Sequence, residues 1–302
     1  MNKLIVILGQ TASGKTDLSI KLAKKFNGEI ISADSRQVYK GMDIGSGKIT
    51  KKEMRGIPHY LLDVASPKKR FTVAQYQKLA LGEINKIHKK NKVPFLVGGT
   101  GFYIQSIVDK IIIPKVKPDW KLRKKLEKKS NQELFLMLKK VDPKRAMSID
   151  KNNPRRLIRA MEIVLKTGSA IPSLRRAERS DFDILQIGIK KSPEELKKLI
   201  KKRLLNRLKN KQMINEVKKL HNSSANDLVL SWKRLEEFGL EYRFVAQYLQ
   251  NKIFYQEMID KIQKESENFA KRQMTWFKRD KSIVWIENYK EAVKCIDKFL
   301  SI

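Results

Sequence analysis

"GQTASGKT", residues 9–16, follows the apolar run "KLIVIL" and precedes a helix-like stretch from Asp17 to Phe26. Gly9, Gly14, Lys15 and Thr16 fill every fixed position of the phosphate-loop pattern G-x-x-x-x-G-K-[ST]. The spacing has a physical reason. Small residues let successive backbone N–H groups of the loop turn inward around phosphate oxygens. The next helix then presents its positive N-terminal end to the same anion. Lys15 adds a point charge, and the Thr16 hydroxyl is suited to ligating Mg²⁺. A phosphate site is therefore expected. Its ligand remains open at this point.

Working outward, "KLIVIL", "EIISAD" (29–34), "HYLLDV" (59–64) and "VPFLVGG" (93–99) alternate with helical stretches, including one over Val73–His88. Such alternation predicts an α/β fold, a P-loop-type parallel sheet flanked by helices. Ligands of such sheets sit beyond the carboxyl ends of the strands, so Gly9, Asp34, Asp63 and Gly98 should surround one crevice. From Lys115 the strand signal stops, and Pro118, Asn131, Pro143 and Pro154 punctuate short helical pieces. This predicts a small all-helical insertion over 115–180 between a first core segment, 1–114, and a core-completing segment, 181–302. "FDILQIGI" (182–189) and "SIVWIE" (282–287) read as returning strands. Between them, Leu196, Leu199, Ile200, Leu204 and Leu208 mark one apolar helix face. Met258, Ile259, Ile262, Phe269, Trp276 and Phe277 mark another.

Lys and Arg number 66 against 32 Asp and Glu, a formal net charge of +34 that points to a polyanionic partner, nucleic acid before membrane. A lysine-rich composition alone is the bland alternative. Cys295 is the single cysteine, which excludes an internal disulfide and a cysteine-built zinc site. No stretch approaches the ~20 apolar residues of a membrane span, so a cytoplasmic enzyme is expected. His59, His88 and His221 have no metal-ligand spacing, and Lys48 in "GSGK" precedes Ile49 rather than Ser or Thr, so it marks no second phosphate loop.

Asp34 ends a strand beside the loop and could be a Mg²⁺ carboxylate, a general base, or simply a cap on the next segment. "VGGTGFY" (97–103) sets Gly98, Gly99 and Gly101 around Thr100, a turn that lets backbone and hydroxyl approach a ligand. In "NPRRLIRAMEIV" (153–164), Arg155 and Arg159 lie one turn apart, placed to grip phosphates, stack on a base, or merely solvate a helix face. Trp276 and Phe277, among the cations of "KRQMTWFKRD", could be base platforms or core.

Taken together, "GQTASGKT", "ISADSRQVYKGMDIG", "IPHYLLDV", "FTVAQYQKLA", "FLVGGTGFYIQSI", "NPRRLIRAMEI" with Thr167–Gly168, and "AKRQMTWFKRD" resemble the tRNA dimethylallyltransferases, in that family's order and over nearly the whole chain. The resemblance implies transfer of a dimethylallyl group from dimethylallyl diphosphate, the co-substrate, to N6 of an adenosine 3′ of the tRNA anticodon, with Mg²⁺ assisting. The loop would then hold a prenyl diphosphate through Gly9, Thr11, Ala12, Ser13, Gly14, Lys15 and Thr16, with Arg203 aligned to a family arginine beside it. Thr16 is the implied metal ligand. Asp34, Thr100 and Lys15 are the implied catalytic residues. Asp34, Ser35, Arg36, Gln37, Thr100, Arg123, Arg155, Arg156, Leu157, Ile158 and Arg159 match tRNA-contacting stretches. The implied partners are the tRNA anticodon stem-loop and the prenyl diphosphate, with no membrane and a monomeric enzyme.

The chain departs from the family in three places. Gln10 replaces a usual Pro, Lys211 and Gln212 stand where a Gly precedes "EV", and "EEFGLEYRFV" replaces an "IGYKE"-like stretch. Three competitors are a P-loop kinase, a basic RNA-binding module with a degenerate loop, and a relative that prenylates free adenine nucleotides. The basic insertion favours tRNA over free nucleotides.

Overall fold

The computed structural model describes residues 2–114, 116–171, 182–222 and 229–301. The chain divides into two compact units, Met1–Val108 with Ser180–Ile302, and Asp109–Arg179. The end expected for the insertion, near residue 180, lies outside the described residues.

The apolar runs of the larger unit become one parallel sheet of β1 (Asn2–Gly9), β2 (Gly28–Ala33), β3 (His59–Tyr60), β4 (Val93–Gly98), β5 (Phe182–Ile189) and β6 (Val284–Ile286). Their order is β3-β2-β4-β1-β5-β6. β1 is nearly continuous in apolar residues because both of its faces are covered. Leu4, Val6 and Leu8 join one core, with Tyr76, Ala80, Ile84 and Ile87 of the Val73–Lys89 helix and Met258, Ile262 and Phe277 of the Tyr255–Phe277 helix. Ile5 and Ile7 point the other way, into a core with Ile20, Leu22 and Ala23 of the Lys15–Lys25 helix and Ala292 and Ile296 of the Tyr289–Leu300 helix. The result is a helix–sheet–helix sandwich. Local signals set the crossover ends. Thr72 and Gln75 form a capping box, and Ser192 caps a helix that starts at Pro193.

One expected strand is cut short. Of "HYLLDV", only His59 and Tyr60 pair, with Ile30 and Ile31. Leu61 and Asp63 adopt φ of 62° and 57°, which no strand accommodates. The bend lets the Asp63 N–H donate to the Gln37 carbonyl (3.2 Å), while Lys48 Nζ bonds both Asp63 and Asp43 at 2.6 Å.

The strand ends coincide where a site is needed. Leu8 pairs with Gly98, and Gly98 with Ala33, as the last partners of their ladders. A Cβ on Gly98 would sit 2.2 Å from the Ala33 carbonyl oxygen, so only glycine permits this approach.

Among its described residues the smaller unit packs four helices, Trp120–Leu126, Asn131–Val141, Pro143–Ser148 and Pro154–Thr167, around its own core of Leu126, Leu134, Leu138, Leu157 and Met161. The last of these helices ends at Gly168, whose left-handed φ of 64° suits a C-terminal glycine.

Two glycine substitutions should move stability in opposite directions. Gly98→Ala should destabilise by at least ~1–3 kcal/mol, because backbone rather than a flexible side chain blocks the new methyl. Gly82→Ala, in a helix interior with open space at the methyl position, should stabilise by roughly 0.5–1 kcal/mol. Denaturant titrations of both variants check this.

Candidate active site

A crevice of about 770 Å³ opens at the carboxyl ends of β1, β2 and β4. Thr11 through Thr16 form one wall. Ala12 (φ 61°) and Gly14 (φ 88°) take left-handed conformations that curl the loop before the helix begins at Lys15. Gly9 sits behind the loop rather than on the wall, where a Cβ would press on Ser13 Oγ (3.2 Å) and the Ile189 carbonyl (3.3 Å). The buried Ser13 hydroxyl has no hydrogen-bond partner although it lines the crevice. An unsatisfied buried hydroxyl is costly unless a ligand completes it.

Lys15 folds back and donates to the Gln10 carbonyl at 2.5 Å. Burial, then the neighbouring Arg203, pulls its pKa down to about 7, with Asp34 opposing. Arg203 donates to Thr11 Oγ1 at 2.6 Å, and burial with Arg207 nearby lowers its pKa to about 10. Among the described residues neither cation forms an ion pair, although Asp34 acts on both through space and Glu241 on Arg203. Arg207 is different, since it is paired with Glu241 at 2.9 Å. The Thr11 N–H is taken up within the protein, donating to Gln273 Oε1 at 2.8 Å. Thr11 therefore contributes its side chain to the wall, and its amide is already used.

Across the crevice, Asp34 caps the turn after β2. Its Oδ1 accepts from the N–H groups of Arg36 (2.7 Å) and Gln37 (3.3 Å). Among the described residues Oδ2 accepts no hydrogen bond, so one oxygen keeps its lone pairs for the crevice. Thr100 Oγ1 accepts from the Ser35 N–H at 3.0 Å, and the Thr100 N–H donates to the Ala33 carbonyl at 3.1 Å. Asp34 and Thr100 are thus locked beside each other. Ser35, Arg36 and Gln37 also line the crevice, Arg36 anchored on the Phe238 carbonyl (2.9 Å) and Gln37 on that of Gly47 (3.1 Å).

Several expectations need correcting. Asp63 does not line the crevice, because the bend after Tyr60 turns it onto Lys48. Gly98, Gly99 and Thr100 line the crevice as expected, and the glycines also make room for neighbouring protein groups. A Cβ at Gly99 would lie 2.3 Å from Gln273 Nε2, and one at Gly101 would lie 2.3 Å from Trp276 Cδ1. Leu199 and Phe269, read as core-facing, line the crevice instead. Phe277 is core, and Trp276 is half-buried against it.

In the helical unit, Glu162 is fully buried and gathers three partners. Arg123 donates to it through Nε (2.8 Å) and a terminal nitrogen (2.7 Å), the Asp119 N–H donates at 2.6 Å, and Arg159 also bonds it. Burial pushes the Glu162 carboxyl up, but these donors outweigh it and hold the pKa at about 2. Arg159 also reaches the Val116 carbonyl at 3.0 Å. Arg155 and Arg156 are exposed, whereas Leu157 and Ile158 belong to the unit's core, so their side chains are not presented to a partner.

Sequence reading missed Gln273, Gln10's bond to the Ala270 carbonyl (3.0 Å), and Glu216, whose carboxylate accepts from three successive N–H groups at Asp43, Ile44 and Gly45. A signal for Gln273 did exist. It falls on the buried face of its helix with Met258, Ile262, Ala270 and Phe277, where a polar side chain needs partners.

The model of the family described as IPP transferase matches residues 37–280. The chain belongs to the IPP transferase family. This family member is 38% identical over 292 residues to a tRNA dimethylallyltransferase of Halalkalibacterium halodurans, covering 94% of this chain and 91% of that one. It is 39% identical over 293 residues to one of Acetivibrio thermocellus, covering 95% and 92%. Its structure resembles the full-length tRNA isopentenylpyrophosphate transferase of Bacillus halodurans (36% identity, TM-score 0.71, covering 100% of this chain and 96% of that one). It also resembles a eukaryotic dimethylallyltransferase described as acting on tRNA (26% identity, TM-score 0.83, covering 100% and 80%). Among the described residues no helix is long and apolar enough to cross a membrane.

Removing the buried Glu162 carboxylate should be expensive, because it strands two arginines. Glu162→Ala is expected to cost roughly 3–5 kcal/mol at neutral pH. The sign with pH follows from the lowered pKa. The stabilisation is complete above about 4.5 and disappears as the pH falls toward about 2, so the deficit should shrink over that window. Urea denaturation across pH 2–7 measures it.

Proposed function

We propose that this enzyme transfers a dimethylallyl group from dimethylallyl diphosphate to N6 of an adenosine 3′ of the anticodon in tRNA. One observation carries the reading. A phosphate loop with two cations that form no ion pair among the described residues shares a single crevice with Asp34, whose Oδ2 accepts no hydrogen bond from those residues. That juxtaposition suits an anionic leaving group on one side and a proton to be taken up on the other.

In this reading the adenine N6 attacks the first carbon of the allyl chain, the carbon–oxygen bond to the diphosphate breaks, and one N6 proton passes to Asp34. Lys15, Arg203 and the loop N–H groups stabilise the charge gathering on the departing diphosphate. Lys15, with its pKa lowered to about 7, regains its full charge when the anion enters, and the Ser13 hydroxyl finds its missing partner. Thr100, fixed against Ser35, orients the adenine beside Asp34. Leu199 and Phe269 offer apolar wall for the allyl tail and keep water from its developing positive charge. The target base must leave its stack to enter.

Mg²⁺ fits the donor set at Thr16. Among the described residues no group of three or more His, Cys, Asp or Glu could hold a metal, and Mg²⁺ bound to phosphates needs only one or two protein ligands. Thr16 would hold it, and it would supply charge neutralisation on the diphosphate.

For the tRNA, the formal charge of +34 supports a polyanionic partner, with Arg36 in the crevice and the exposed Arg155 and Arg156 as contacts. The reading takes the enzyme to act as a monomer, and its tRNA substrate supports a cytoplasmic setting.

The deciding experiment supplies purified protein, Mg²⁺ and unmodified tRNA with dimethylallyl diphosphate alone, and reads nucleosides by mass spectrometry. One adenosine should gain a dimethylallyl group, with no ATP consumed. Productive use of ATP, with its γ-phosphate on the RNA, would establish a kinase instead. Asp34→Asn, which keeps the cap but removes the base, should slow single turnovers by ~10²–10⁴-fold. Lys15→Ala should cripple turnover while leaving tRNA affinity nearly unchanged. Arg155→Ala should flatten the dependence of log affinity on log salt by about one unit if it meets a phosphate.

A further inference from the structure

The β1–β4 ladder ends at Leu8 and Gly98, and beyond it the two chains part. One becomes the phosphate loop and the other becomes the Gly99–Thr100 turn. A single side chain from a third element spans the gap. Gln273, 7% exposed on the Tyr255–Phe277 helix, accepts from the Thr11 N–H at 2.8 Å through Oε1 and donates through Nε2 to the Gly99 carbonyl at 2.8 Å. Both ends of the amide are used, and each in the sense its chemistry allows. The fit extends to Gly99, where a Cβ would lie 2.3 Å from Gln273 Nε2. One turn earlier on the same helix, the Ala270 carbonyl accepts from Gln10 Nε2 at 3.0 Å, a second attachment of the loop.

We infer that Gln273 is a positioning residue that sets the distance between the leaving diphosphate and the accepting adenosine. The inference rests on the proposed prenyl transfer. Thr11 carries the loop side, since its hydroxyl is also tied to Arg203 (2.6 Å). Gly99 carries the acceptor side, since the next residue, Thr100, is bonded to Ser35 and Ala33 and so to the turn that aims Asp34. Gln273 lines the crevice, but both polar ends of its side chain are spent on protein partners. It acts by holding two turns at one separation, and separation is what an in-line displacement is sensitive to. A misplacement of about 1 Å can lower a rate by ~10²-fold while leaving each substrate's own contacts in place.

Two variants test it. Gln273→Met fills the space but bonds neither turn. Gln273→Glu keeps an acceptor for Thr11 and, when ionised, loses the donor to Gly99. When protonated it restores both bonds. Lys15, Asp34 and Arg203 line the same crevice, so each pH profile is read as the ratio of variant to wild type. Gln273→Met should lower kcat by roughly 10–100-fold, with KM for dimethylallyl diphosphate and for tRNA each changed less than about threefold. Gln273→Glu should show a similar loss at pH 8 and a ratio that rises as the pH falls, because the protonated carboxyl replaces the amide. Thermal denaturation run alongside shows whether each variant is folded at the assay temperature. Folded variants with unchanged kcat, a loss confined to KM, or a Glu ratio that stays flat with pH would each overturn the assignment. So would a Met variant that loses activity only because it is unfolded while the folded Glu variant behaves as wild type. A wild-type enzyme that makes no prenylated adenosine would instead overturn the parent reading, and this assignment with it.

Discussion

Leu8 of β1, Gly98 of β4 and Ala33 of β2 stand side by side in the sheet register, so three chains leave the sheet at one level. No side chain fits at the middle position, where a Cβ would press into the Ala33 backbone. That close approach brings the phosphate loop, the Thr100 turn and Asp34 to the same crevice, although they lie far apart in the chain. The hydrophobic layers on both faces hold the strands in place, and hydrogen bonds between the departing turns do the fine adjustment.

Electrostatics in the crevice follows from that geometry. Lys15 and Arg203 share one wall, and burial with a neighbouring arginine, Arg203 for Lys15 and Arg207 for Arg203, draws both below their ordinary proton affinities. Such a wall is uncomfortable when empty and relaxes on meeting an anion. Arg207, only a turn beyond Arg203, is neutralised by Glu241 and helps shape the loop at Gly45 instead. Two neighbouring arginines on one helix therefore do different work, and the difference lies in which of them has a buried carboxylate within reach.

The helical unit shows the same logic with opposite consequences. Glu162 converts two of its arginines from free cations into structural ones, while Arg155 and Arg156 stay exposed. A single buried acid thus sorts the arginines of two helices into those that hold the unit together and those that can meet a polyanion.

Much of this was legible in the chain alone because it is local. The phosphate loop needs only glycines and small residues at fixed spacing between a strand and a helix, and those constraints act over eight residues. Alternating strand and helix patterns were enough for a parallel sheet, since their periodicities differ and each apolar face must be buried. Interactions between distant segments were not legible. The premature end of β3 depends on Asp63 meeting Lys48 and Gln37, and the burden on Arg123 and Arg159 depends on Glu162. The glycines around Thr100 announced a close approach but not what approaches. Only the packed structure puts Ala33, Gln273 and Trp276 there, because which groups meet across a fold is decided by the packing of whole elements and not by the spacing of residues within one.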